Sequence, residues 1–222
     1  MNSVSDSQVR ISLSSASVRA ASVAWAAQYA GWHENRVYLQ KNNEHYKLLA
    51  CVASQFKGAH LVDIGTYLGY SALALATGAS ELGNRVTSYD VADCLPPAPV
   101  ACVRDVPAVE LRVRDASSDL AEISRSAQLI VLDVTPHDGV QERAMISSLI
   151  KDGYKGLLVL DDIRLNPDME ALWAWVPLKK LDATALGHWS GTGIVVFDPA
   201  TADVTIEPDV PVCGRAADGK ML

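Results

Sequence analysis

The sequence predicts a doubly wound α/β fold. Its sheet is seven-stranded and mostly parallel, with helices on both faces and an antiparallel last strand. Three observations carry this. Five short apolar runs, at 60–64, 85–89, 110–114, 128–132 and 156–160, follow one another through the middle of the chain. Apolar runs without strict alternation suit strands covered on both faces. Helical stretches at 71–79, 117–127 and 139–152 lie between several of them, a βαβ rhythm that builds a parallel sheet. Two further strand-like runs, 180–186 and 193–198, are separated mainly by 188–192, too short for a crossover helix, so these two run antiparallel as an edge hairpin.

The elements follow in order. From 17 to 30 the chain is Ala-rich, with Val18, Ala21, Trp25 and Tyr29 at helical spacing and Gly31 as a stop. Trp25, Tyr29 and Trp32 are expected either to form a lid or to pack within a homodimer. Asn42 or Asn43 caps a second helix whose inner face holds His45, Leu48, Leu49, Val52 and Phe56, with Gly58 ending it. The strand rhythm starts there. The link from 91 to 107 carries Pro96, Pro97, Pro99 and Pro107, so its crossover helix is expected to be short or absent. Trp173 and Trp175, before the final hairpin, read as packing residues. The expected organisation is a tail and lid helix over 1–41, the α/β domain over 42–200 and a loosely ordered tail over 201–222.

Composition narrows the function. Nineteen Lys and Arg stand against 26 Asp and Glu, a net charge of −7, and no basic cluster is present, which disfavours a nucleic-acid partner. The apolar stretches fall far short of the ~20 residues that span a bilayer. Cys51, Cys94, Cys102 and Cys213 show no C-x-x-C spacing and read as reduced thiols of a cytoplasmic protein; the five histidines form no zinc pattern with them. The first 22 residues hold eight Ser, with Arg10 and Arg19 against Asp6. That composition suits a transit peptide, but equally a tail entering a helix, and we read the tail.

Asp63, Asp90, Asp115, Asp133 and Asp161 each end or adjoin one of the five runs. In an open α/β sheet the carboxyl ends of the strands meet at the ligand crevice, so these acids are candidates for one site. A single acid in a turn is usually a cap or a solvated group; five in register are not. The segment Leu61-Val-Asp-Ile-Gly-Thr-Tyr-Leu-Gly-Tyr-Ser71 leaves the first run through Gly65 and Gly69 and enters a helix. Its glycines let backbone approach a ligand, and the helix start offers N–H groups to an anionic portion. The spacing is D-x-G-x-x-x-G-x-S, not the G-x-G-x-x-G of dinucleotide sites, so a smaller cofactor without pyrophosphate is expected. Asp90, 21 residues after Gly69, is placed for ribose hydroxyls, and Asp115 for an adenine amino group.

At these residues the sequence resembles the class I, S-adenosylmethionine-dependent methyltransferases, most closely the small-molecule O-methyltransferases of the catechol and caffeoyl-CoA type. The resemblance covers about 42–198 and implies a Rossmann-like fold. It implies that Asp63 and Gly65 line the methionine end of the cofactor, Tyr67 the sulfonium and Ser71 the carboxylate, with Gly69 in the same loop, Asp90 on the ribose and Asp115 on the adenine. It also implies a divalent cation, usually Mg2+, on Asp133 and on the Asp161–Asp162 pair. Magnesium takes such oxygen ligands and keeps waters that a substrate hydroxyl replaces. One departure stands out. The catechol enzymes carry a Lys base three residues after the first metal Asp; here that position is Pro136, followed by His137. A histidine titrates near neutrality and is a sensible proton acceptor, so His137 and Asp133 are the candidate catalytic residues; metal ligation and a turn cap are alternatives for His137. His188 and Trp189, in the hairpin loop, are candidate walls of the acceptor pocket, whereas His60 precedes the first run and reads as structural.

The expected reaction is in-line methyl transfer from sulfonium to a hydroxyl of a small molecule. Alignment of nucleophile, methyl and sulfur supplies most of the rate enhancement. Competing readings are a metal-independent N- or sugar O-methyltransferase of the same fold, a nucleotide-using oxidoreductase, and a non-catalytic cofactor-binding module. RNA is a minor option as acceptor, given the acidic balance.

Overall fold

The computed structural model describes residues 8–23, 38, 40, 43–96 and 101–207. The lid reading of Trp25, Tyr29 and Trp32 lies outside them, as does most of the C-terminal tail.

Helix α1, Ser15–Ala20, opens the 17–30 segment two residues earlier than its apolar spacing predicts. Ser14 starts it: its hydroxyl accepts from Ser17 N at 3.0 Å, and Ser17 Oγ accepts from Ser14 N at 2.9 Å. This reciprocal cap satisfies two amides that the first turn leaves free. Helix α2, His45–Ala53, follows Glu44, which makes no side-chain cap, so the expected Asn cap is not used. The predicted inner face, His45, Leu48, Leu49, Val52 and Phe56, is buried throughout.

Then come β2 (His60–Ile64), α3 (Tyr70–Leu75), α4 (Ala79–Leu82), β3 (Arg85–Asp90), β4 (Val109–Val113), α5 (Leu120–Ser126), β5 (Leu129–Leu132), α6 (Val140–Lys151), β6 (Leu157–Asp161), α7 (Pro167–Trp175), β7 (Lys179–Asp182) and β8 (Thr192–Val196). The proline-rich link before β4 contains only a short 3₁₀ turn, Val103–Asp105, among its described residues. The seven strands lie in the order β4-β3-β2-β5-β6-β8-β7. From β4 to β6 all neighbours are parallel. β8 is antiparallel to both β6 and β7. The antiparallel last strand is therefore slotted inside the sheet, and β7 takes the edge.

Side-chain alternation divides the core. Leu61, Leu129, Val131, Leu157 and Val159 pack with α2 and α3 on one face. Val62, Ile130, Leu132, Leu158 and Leu160 pack with α5, α6 and α7 on the other. This is why the strands are apolar at every position: each neighbouring pair serves two layers.

Two strands escape the sequence reading. β1, Val9–Leu13, pairs in parallel with β9, Ala202–Ile206, as a separate two-stranded sheet. Ile11, Leu13, Ala202 and Val204 carry it into the core beside α2. The first part of the segment assigned to a terminal tail, 201–222, is thus a packed strand. Among the described residues no helix is long and apolar enough to cross a membrane.

Candidate active site

Strand order, not strand direction, switches beside β2: β3 and β4 are added on one side of it, and β5 and β6 on the other. The loops after β2, β3, β5 and β6 therefore surround one crevice. Gly65 lies at its floor with φ +105°, and a Cβ there would come within 1.7 Å of the Asp133 carbonyl oxygen. Only glycine lets the turn after β2 cross so closely over the end of β5. Gly69, at φ +84°, starts α3, and a Cβ there would meet Val103 Cγ1 at 2.4 Å. Its role is close packing of the loop.

Asp90 accepts from Tyr67 N at 2.8 Å and from Ala92 N at 3.1 Å, tying the glycine loop to the end of β3. Asp115 accepts from Ser117 N at 2.8 Å and caps a short 3₁₀ turn. Both acids, with Gly65, Tyr67 and Met145, line a cavity of about 760 Å³. That is the size range of small-molecule sites. Asp63 lies beneath the loop, fully buried. Ser88 Oγ donates to its Oδ2 at 2.6 Å and is itself 2.6 Å from Thr66 Oγ1, so Asp63 reaches the loop through hydroxyls and lines neither cavity at the crevice. Burial pushes its carboxyl up to about 7, against the pull of Ser88 and Ser71.

A second cavity of about 210 Å³ adjoins the first, and both are lined by Gly65, Tyr67, Asp133 and His137. Ser71 lines this smaller one, together with two neighbouring polar groups. In the first, His137 Nδ1 lies 4.0 Å from Asp133 Oδ1 and 3.6 Å from Asp162 Oδ2. Burial, then the charges of Asp161 and Asp162, raises Asp133 well above the usual aspartate range. Two-fifths of its side-chain surface still meets solvent, so water screens part of this repulsion. Asp162 is raised by burial and by Asp161, with Ser190 opposing. In the second group, Asp161 Oδ1 is 2.6 Å from His188 Nε2 and 3.7 Å from His45 Nδ1. Burial pushes this carboxyl up, but the two histidines outweigh it and hold it below its ordinary value. His188 is raised in turn, its hydrogen bond to Asp161 overcoming burial, whereas burial drives His45 down to about 4.

The three aspartates that the resemblance implies as a metal triad are thus split: Asp133 and Asp162 share His137, and Asp161 takes a histidine pair. Among the described residues Tyr67, His137 and Asp162 are the only non-glycine residues at positive φ, +42°, +59° and +57°. All three line the smaller cavity. Backbone held in this region costs roughly 1–3 kcal/mol per residue and gathers where a site needs a fixed geometry. Asn166 clamps the His137 turn, donating to its carbonyl at 2.8 Å while capping α7 through Met169 N at 2.9 Å.

His188 is buried in the cavity wall, but Trp189 is 68% exposed and lines neither cavity. His60 bonds Ser126 and Thr87 at the opposite end of the sheet, a structural place. Sequence reasoning missed Tyr38, His45 and Ser190. Tyr38 packs edge-on to His188 at 5.6 Å, and burial followed by Asp162, Asp161 and Asp133 raises its phenol. His45 was legible only as one more residue on a helix's inner face.

No protein-family model and no curated protein matches the sequence. Solved structures do resemble the fold. A Podospora anserina methyltransferase, PaMTH1, bound to S-adenosylhomocysteine, superposes with a TM-score of 0.53 at 17% identity, covering 78% of this chain and 85% of its own. A Staphylococcus aureus protein described as a caffeoyl-CoA O-methyltransferase gives 0.52 at 14% identity, covering 77% and 93%. The chain has the class I methyltransferase fold. A carbon methyltransferase, CurJ, reaches 0.52 at 11% identity over 75% of this chain and 58% of its own. The names of these fold neighbours thus include both an oxygen and a carbon methyltransferase.

Proposed function

We propose that the protein transfers a methyl group from S-adenosylmethionine to a hydroxyl oxygen of a small molecule. The single observation behind this is the meeting of the two cavities over Gly65, Tyr67, Asp133 and His137. The larger one, flanked by Asp90 and Asp115, suits the adenosyl portion of the cofactor. The smaller one, lined by polar groups, suits the acceptor. A methyl group at the junction faces both.

In this reading Tyr67, held by the Asp90–Tyr67 N bond, covers the sulfonium, and Gly65 leaves room beside it. His137 receives the proton of the acceptor hydroxyl. Asp133 and Asp162 stabilise the imidazolium that forms. Their donor chemistry also fits a divalent cation, because two carboxylates raised by burial and by neighbouring charge are relieved by one. Asp133 and Asp162 would hold it, and when bound it would lower the hydroxyl's pKa and fix its oxygen. Asp161 is held by histidines and is left out of that set.

The test uses the full chain, methyl-labelled S-adenosylmethionine and a panel of phenols, catechols and aliphatic alcohols, with and without chelator. Label on oxygen, together with calorimetric binding of S-adenosylhomocysteine that Asp90→Ala weakens, is the expected result. Absence of S-adenosylhomocysteine binding would end the proposal.

A further inference from the structure

Methyl transfer as proposed leaves one buried group unused. His45 stands in the first turn of α2, Asp161 ends β6, and His188 lies in the loop before β8. One ring nitrogen of each histidine and one oxygen of Asp161 lie within 4.8 Å of one another. All three residues line the 210 Å³ cavity, so their meeting point is reachable from the crevice. An ion pair between His188 and Asp161, at 2.6 Å, accounts for two of them. It does not account for the approach of His45, whose Nδ1 faces the same oxygen from 3.7 Å, beyond hydrogen-bond reach, while sharing a long hydrogen bond of 3.4 Å with Thr192 Oγ1. The outer nitrogen of His188 supplies an independent sign: Ser190 Oγ holds Nδ1 at 2.7 Å. Imidazoles that ligate a metal through one nitrogen usually have the other fixed by a polar partner in this way.

We infer that His45, Asp161 and His188 form a second cation site, suited to a borderline divalent metal such as Zn2+, Co2+ or Fe2+. Two imidazoles and one carboxylate are donors for those ions, whereas Mg2+ takes oxygen. Three protein donors leave coordination positions open towards the cavity, for water or a substrate oxygen. Tetrahedral ligands at bond lengths of about 2.1 Å sit about 3.4 Å apart, so the His188–Asp161 contact opens while His45 closes in slightly. The metal replaces the proton that His188 and Asp161 share, and that proton leaves to solvent.

The experiment is independent of methyl transfer. Asp133→Asn combined with His137→Ala leaves Asp162 alone of the neighbouring polar group in the full chain, and Co2+ is titrated into this protein while visible absorption and heat are followed. A single Co2+ with ligand-field bands is expected, not displaced by millimolar Mg2+. His45→Ala in the same background should weaken it 100-fold or more, and Ser190→Ala about 10-fold. No bound Co2+, or binding indifferent to His45→Ala, overturns the site. X-ray absorption on the cobalt-loaded parent counts imidazole ligands directly, should His45→Ala not fold: two support the inference, and one or none overturns it.

Discussion

Asp161 and Asp162 are neighbours in the chain, yet they sit in two polar groups that behave in opposite ways. Asp161 is the more deeply buried, its side chain 8% exposed against 15% for Asp162. Burial alone would raise Asp161 further. Instead it is lowered, because His45 and His188 face it, and Asp162 is raised by its burial and then by Asp161. Partner identity outweighs depth. One group stores stability in matched charges, and the other holds like charges together at a cost.

The largest effect that would sharpen this contrast is expected from His188→Ala. It leaves Asp161 buried and short of its closest partner, a loss of roughly 3–5 kcal/mol by chemical denaturation. The pH dependence follows from the shifts. Asp161 is lowered from 3.8, so its contribution is present above that value and fades as pH falls through the folded one. His188 is raised from 6.5, so its contribution is full below that value and fades as pH rises through the folded one. The deficit of the variant should therefore be greatest between pH 3.8 and 6.5. A deficit that is flat with pH would break the comparison.

Asp133→Asn should act in the other direction. Asp133 is raised from 3.8, so its charge is unfavourable to the fold above that pH. The amide should stabilise the ligand-free protein by up to about 1 kcal/mol, screened as the site is, with the gain vanishing towards pH 3.8. Methyl transfer should fall on the order of 100-fold or more in the same variant. A destabilised variant would show that the two groups are alike after all. Trp189→Ala should be the smallest change, within about 0.5 kcal/mol in a thermal melt and without effect on the acceptor KM, because the side chain lies outside both cavities. A raised KM would return Trp189 to the pocket wall.

Much of this was legible in the residues. Apolar runs separated by helical stretches announced the parallel strands, and the glycine loop from Gly65 to Ser71 marked the crevice, because its backbone has to pass where a Cβ cannot. Asp90 and Asp115 fell in one cavity as strand ends should. β1 and β9 were missed although both alternate, since five-residue segments far apart in the chain gain stability from each other and from the core they cover, not from local sequence. Trp189 looked like a wall from its place in the hairpin loop, but loop position does not say which way a side chain leaves it.

The order of apolar and polar residues by itself determined the layers, the antiparallel pairing of the last two strands and the line of acids along one edge, because burial on two faces and short connections are local demands. Only the tertiary structure decided which acid meets which histidine. That choice depends on the left-handed backbone of Asp162, which turns it from its neighbour, and on α2 carrying His45 across the sheet to Asp161. Such pairings arise from contacts distant in sequence, and no local pattern encodes them.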